Sequence, residues 1–265
     1  MLSTKPTLLA LLLALLTSTG ATAQDFPYAL DWKREATLFT TGATTSLGGR
    51  YLEHRVTPLT ADQLAGRRRR AVWFLDRGAT YNECPTARRV SDQLLRGAVL
   101  LPALALVKRS SRRRALVVGT MLAQTMLLND GLTRTTKALI RRSRPLTFNE
   151  AYDEGAKLKG DARLSFVSGH TSNTAALSFF TAKVLHDLYP DSPLRPLIWA
   201  TAAAVPLATG YARYQAGKHF PTDIVAGYAL GAALGILIPQ WHKLSGGKGW
   251  STGVTGAGIG LTLRW

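Results

Sequence analysis

Arg213-Tyr-Gln-Ala-Gly-Lys-His219-Phe-Pro-Thr-Asp223 is a polar joint between two apolar segments. The segment before it, Pro196–Tyr211, carries no charge, and the one after it, Asp223–Trp241, is rich in Gly and Ala. Neither shows a two-residue alternation, so both read as helices. A second polar cluster, Ser168-Gly169-His170, precedes the uncharged run Thr171–Thr181 and opens a segment that continues to about Leu188, where Tyr189-Pro-Asp-Ser-Pro193 breaks the chain. A third, Lys137-Ala-Leu-Ile-Arg-Arg-Ser-Arg144-Pro145, follows an apolar segment from Ala115 to about Leu132. Further upstream, Ser91-Asp92 reads as the cap of an apolar helix running to Val107. The pattern predicts an all-α helical bundle over residues 91–243. If successive segments alternate in direction, the three polar clusters meet at one end of it.

The groups so gathered suit one kind of chemistry. A phosphoryl group in transfer carries negative charge on its equatorial oxygens, so catalysis is largely positioning and charge stabilisation. Arg144 and Arg213 can each grip two oxygens, and Lys137 adds a compact charge. Ser168 and the backbone N–H of Gly169 add neutral donors at a helix N-terminus. Two histidines allow one to attack phosphorus and the other to protonate the leaving oxygen. Asp223 stands four residues after His219, about one helical turn. A carboxylate there can fix the imidazole tautomer. His219 is therefore assigned as nucleophile, Asp223 as its orienting partner and His170 as general acid, with no metal and no cofactor.

The spacing Lys-x6-Arg-Pro, Ser-Gly-His and Arg-x5-His-x3-Asp resembles the type 2 phosphatidic acid phosphatase and vanadium haloperoxidase superfamily, over roughly residues 90–240. The resemblance implies a membrane-embedded bundle. It implies that Lys137, Arg144, Ser168, Gly169 and Arg213 bind phosphate or vanadate, that His219 becomes phosphorylated and that His170 is the acid. The substrates it implies are phosphatidic acid, phosphatidylglycerol phosphate, undecaprenyl diphosphate or a lipid A phosphate. Two positions depart from the usual pattern: Val167 stands where Pro precedes Ser-Gly-His, and Ala212 where Ser precedes the arginine.

Other polar residues read more plainly. Arg141 and Arg142 form a solvated or lipid-facing basic rim, Asp161 and Arg163 a loop ion pair, and Lys218 a solvated lysine at the phosphate entrance. His54, His186 and His242 have no motif partners. Cys84, the single cysteine, cannot form an intramolecular disulfide, and no zinc-ligand cluster accompanies it.

Met1–Ala23 reads as an export signal, with Lys5, the apolar run Leu8–Leu16 and a small-x-small site at Ala21-Thr-Ala23. Residues 24–90 form a polar lead-in in which Trp32–Arg50 contains a weakly amphipathic, mostly uncharged stretch that reads as a helix, and Thr60-Ala-Asp-Gln resembles a helix start. Residues 244–265 form a Gly-rich tail with no assigned function. The formal charge of +17 favours anionic partners. Its arginine runs lack interleaved aromatics, so nucleic acid is not expected. Mean hydropathy is +0.03, and the apolar runs fall short of the roughly 20 residues of a bilayer span. Lys108–Arg114, taken as cytoplasmic, nevertheless sends the next segment outward to a periplasmic site. The expected protein is an inner-membrane, metal-independent phosphatase of a lipid phosphomonoester or diphosphate. The alternatives are a vanadate-dependent haloperoxidase, a soluble periplasmic acid phosphatase and a non-enzymatic lipid- or anion-binding membrane protein.

Overall fold

The computed structural model describes residues 26–106, 111–244, 249–255 and 258–264. The expected export signal, Met1–Ala23, and the first part of the Lys108–Arg114 run lie outside them. Among the described residues there are six long helices: α1 (Trp32–His54), α2 (Pro85–Ala98), α3 (Arg112–Ile140), α4 (Gly169–Leu188), α5 (Arg195–Gln215) and α6 (Pro221–His242). The chain is an all-α bundle, as its periodicity predicts.

α4 is its axis, buried along nearly all its length. α3, α5 and α6 pack around it, with Met121, Phe180, Val184 and Ile238 in the core. Close approach is set by small residues. Gly227, Gly231 and Gly235 recur every four residues, so they form one stripe on α6. A Cβ on them would lie 2.5, 2.1 and 2.7 Å from the carbonyl oxygens of Ser168, Ser172 and Ala176. α6 therefore rests directly on the α4 backbone. The same device docks α1, which falls in the lead-in region, along α3: a Cβ at Gly131 would lie 2.2 Å from Thr45 Oγ1, and one at Gly49 2.7 Å from Arg134 Cβ.

The helix boundaries follow local chemistry. Ser111 caps α3 by accepting the Arg114 N–H at 3.3 Å. α3 ends at Arg141, which takes the left-handed conformation (φ 51°) usually left to glycine and turns the chain back toward the bundle. The helix expected from Ser91-Asp92 to Val107 begins earlier and stops sooner. Pro85 occupies its first position, Cys84 Sγ accepts the Ala87 N–H at 3.4 Å, and α2 ends at Ala98. Pro102, which lacks an N–H, then sits in the separate 3-10 turn Leu101–Leu106. Ser91 is thus a mid-helix residue whose hydroxyl donates to Arg88 O at 2.7 Å, and Asp92 points to other partners. In the Gly-rich tail, Gly249–Thr255 pairs antiparallel with Gly258–Arg264 as a two-stranded hairpin. Among the described residues two helical stretches, Arg112–Phe148 and Pro221–His242, are long and apolar enough to cross a membrane, by length and composition.

The glycine stripe gives a direct test. Gly231→Ala is expected to lower stability by about 2 kcal/mol through overpacking. Gly119→Ala, in an open helical position, is expected to raise it by about 0.5 kcal/mol. Thermal unfolding in detergent of both variants checks the pair.

Candidate active site

The three polar clusters meet at the end of the bundle where α3 finishes and α4 and α6 begin. Lys137, in the last turn of α3, donates from Nζ to Leu164 O at 2.8 Å. A Cβ built on Gly169 would lie 3.9 Å from Lys137 Cε. Ser168 and Gly169 form the α4 N-terminus, and the Ser168 N–H donates to Asp223 O at 2.9 Å, joining α4 to α6. The Ser168 and Thr171 hydroxyls share a 2.9 Å bond. Val167 and Ala212, the departures from the family pattern, are both buried.

His219 is buried between these elements. Arg144 Nη1 lies 3.2 Å from its Nε2. A guanidinium can only donate, so Nε2 is the accepting nitrogen of a neutral imidazole and the proton sits on Nδ1. Burial, together with the charges of Arg144, Lys137 and Arg213, holds its pKa well below the usual histidine value. Nδ1 faces Asp223 Oδ2 at 3.7 Å, beyond hydrogen-bond length. The direct bond expected between the two is not formed because that oxygen is already engaged. It accepts from Ser165 Oγ at 2.5 Å and from the Phe220 N–H at 2.9 Å, capping α6 from its third residue.

The other carboxylate oxygen of Asp223 accepts from Arg142 Nη1. Arg142 is therefore not a solvated rim residue. It also donates to Asp76 Oδ2 at 2.6 Å and to Thr222 Oγ1 at 2.7 Å, and its guanidinium lies 4.2 Å from the Phe220 ring centroid. Arg141 alone is exposed, as expected of a rim.

Arg144 and Arg213 flank the histidines. Arg144 donates to Asp161 O (2.9 Å), Asp161 Oδ1 (2.7 Å) and Lys218 O (3.1 Å). Asp161 thus pairs with Arg144 rather than with Arg163, which reaches Thr57 O at 3.1 Å. Burial raises the Asp161 pKa, but the charge and hydrogen bond of Arg144, with the charges of Lys137 and Lys218, together hold the carboxyl below its usual range. Arg213 approaches Ser91 Oγ at 3.4 Å and Asp92 Oδ1 at 3.7 Å, while its buried Nε has no hydrogen-bond partner among the described residues. Burial and the neighbouring arginines push Lys218 down to about 8.

His170 Nε2 is 2.8 Å from Asp92 Oδ1. Burial and Arg213 push its pKa down to about 4, against the raising effect of Asp92. Sequence reasoning missed Asp92, Asp76 and Ser165. Asp92 left one trace, as the only acid between Glu83 and Asp130 in a basic stretch. His242 and His186 lie elsewhere, bonded to Glu35 and Ile238 O and to Arg195 and Trp199.

A family model described as the PAP2 superfamily matches residues 114–246, about half the chain and the whole span from Lys137 to Asp223. A lipid A 4'-phosphatase of Porphyromonas gingivalis is 27% identical over 130 residues, 48% of this chain and 52% of that protein. A phosphatidylglycerophosphatase B of Bacillus subtilis is 30% identical over 116 residues, 42% and 52% of the two chains. A lipid A 1-phosphatase of Rhizobium johnstonii is 33% identical over 122 residues, 45% and 46%. The chain spans about half the length of the curated relatives it matches. A crystal structure of a transmembrane PAP2-type phosphatidylglycerolphosphate phosphatase from Bacillus subtilis aligns with a TM-score of 0.45 and 23% identity, covering 77% of this chain and 93% of that one.

The Arg142 network makes a measurable contribution. Arg142→Leu leaves the buried Asp76 and Asp223 carboxylates without their cation and is expected to cost about 3 kcal/mol. The loss would appear in thermal unfolding, larger than for Arg141→Leu at the exposed neighbouring position.

Proposed function

Because this chain belongs to the PAP2 superfamily, we propose that it is a metal-independent phosphatase of a membrane lipid phosphomonoester or diphosphate, working through a phosphohistidine on His219. The observation that carries this reading is the neutral imidazole of His219 beside Arg144, with Lys137, Arg213 and His170 at the same bundle end. The relatives named as lipid A phosphatases and a phosphatidylglycerophosphatase support a lipid substrate class.

In the proposed reaction the substrate phosphoryl group lies among Arg144, Arg213, Lys137 and the Gly169 N–H. Their charge and dipoles offset the charge of the five-coordinate transition state. The lone pair of His219 Nε2 forms the N–P bond as the P–O bond to the lipid breaks. His170 gives its proton to the departing oxygen. Asp92 holds one nitrogen of His170, leaving the other to deliver that proton. Water then attacks the phosphohistidine, neutral His170 takes the proton of the water, and the N–P bond breaks to release phosphate and restore both imidazoles. Asp223, fixed by Arg142, Ser165 and the Phe220 N–H, supplies a nearby negative charge for Nδ1–H as His219 gains positive character.

The proposed setting is the inner membrane, with the site facing the periplasm. The Arg112-Arg-Arg114 start of α3 lies at the opposite end from the site, and the positive-inside tendency puts such an end in the cytoplasm.

Phosphate release in excess EDTA tests the mechanism, with a soluble aryl phosphate, phosphatidic acid and phosphatidylglycerol phosphate as substrates. Turnover is expected to survive chelation and to fall at least about a thousandfold in His219→Ala, as loss of a nucleophile does. Chelator-sensitive turnover, or an active His219→Ala, would exclude the phosphohistidine route. The pH profile carries a second expectation. His219 stays neutral through the neutral range, whereas protonated His170 becomes scarcer above its pKa of about 4. On an aryl phosphate, kcat/KM is therefore expected to fall as pH rises. Asp92 raises the His170 pKa, so Asp92→Asn should lower it and move the falling limb to more acidic pH. A limb that stays in place would remove Asp92 from the proton path.

A further inference from the structure

The loop between the two 3-10 turns Arg69–Ala71 and Arg77–Tyr81 is fixed to the active site on one side. Val72 and Ala79 pack with Phe220, and Asp76 accepts from the Thr222 N–H at 3.1 Å and from Arg142 at 2.6 Å. Between these anchors three consecutive large apolar side chains face outward: Trp73, Phe74 and Leu75 are 53%, 67% and 54% exposed. Trp73 and Phe74 meet edge to face at 5.3 Å. A contiguous apolar knuckle held rigidly beside a catalytic site is the kind of surface that marks a contact.

The charges around it indicate what it contacts. The knuckle follows a run of four arginines. Arg67 and Arg69 are turned inward, to Ser143 Oγ at 2.7 Å and to Phe148 O at 3.1 Å. Arg68 and Arg70 remain exposed. Position in the fold adds a second indication. α3 and α6, the two helices apolar enough to cross a membrane, reach the site with its last and first turns respectively. The knuckle thus stands at the level where such helices leave the hydrocarbon. There, aromatic rings sit among head groups and arginines meet anionic lipid phosphates.

We propose that Trp73-Phe74-Leu75, flanked by Arg68 and Arg70, dips into the head-group layer of an anionic bilayer beside the active site and holds the mouth of the site against the lipid surface. Delivery of a lipid phosphate to His219 from that surface rests on the function proposed above; insertion of the knuckle does not.

Two experiments separate these statements. Cys84 is the only cysteine, and Cys84→Ser keeps an N-cap acceptor. In that background Phe74→Cys can carry an environment-sensitive fluorophore. In vesicles of phosphatidylcholine and phosphatidylglycerol, a blue-shifted label quenched by shallow nitroxide lipids is the expected result. A label quenched by aqueous iodide alone would overturn the insertion, leaving a water-facing or protein-facing surface. The second experiment compares substrates in the triple variant Trp73→Ser, Phe74→Ser, Leu75→Ser. Hydrolysis of phosphatidylglycerol phosphate in vesicles is expected to fall roughly tenfold, as losing partial burial of these side chains implies. Hydrolysis of a water-soluble aryl phosphate is expected to stay unchanged. Unchanged vesicle activity, or equal loss on both substrates, would overturn the delivery role. If the unmodified protein hydrolyses neither substrate, the function proposed above fails and the quenching result still decides the insertion.

Discussion

Lys137, Arg144 and Arg213 are buried at one end of the bundle, and their mutual repulsion and lost hydration are the constraint around which the site is arranged. Removing a cation from water is costly unless hydrogen bonds and opposite charge replace the water. Here the replacement comes from carbonyl oxygens of Leu164, Asp161 and Lys218 and from the carboxylates of Asp161 and Asp92. Placing a histidine in this field has one outcome: it stays neutral, with a lone pair available at the nitrogen that faces the cations. In the proposed reaction, the same concentration of positive charge that would attract a phosphate also keeps His219 neutral for its role as nucleophile.

Holding such a cluster in register demands close helix packing, and the glycines of α6 provide it. With hydrogen in place of side chains, α6 sits on the carbonyls of α4, which brings Asp223 into backbone contact with Ser168. Polar side chains then lock the joint. Asp223 is held by Ser165 from the loop before α4, by Arg142 from the segment after α3, and by its own helix start at Phe220. One carboxylate therefore ties together the three segments that contribute the site.

The bundle and the convergence of the three clusters were legible in the sequence, because apolar helix-length runs and polar joints follow from local composition. Lys137, Arg144, Ser168, Gly169, His170, Arg213, His219 and Asp223 all arrive at one place. Three features were not legible. The Arg142 bridge depends on the left-handed turn at Arg141, and arginine there gives no local sign of that turn. The pairing of His170 with Asp92 spans 78 residues and depends on where α2 begins, which Pro85 decides rather than Ser91. The hairpin in the Gly-rich tail was not legible either, because strand pairing is not written in local composition.

In the proposed reaction the exposed Asp161 carboxylate paired with Arg144 has a kinetic consequence. It accepts from Arg144 Nη2 at 2.7 Å, a donor that the proposed reaction assigns to a phosphate oxygen. An incoming substrate exchanges one anion for another, so the arginine is never stripped bare, and the swap runs equally well in reverse. When inorganic phosphate departs, the tethered carboxylate is already within reach of the arginine it leaves behind. In the proposed reaction, competition from the tethered carboxylate would trade some affinity for product phosphate against a shorter dwell time.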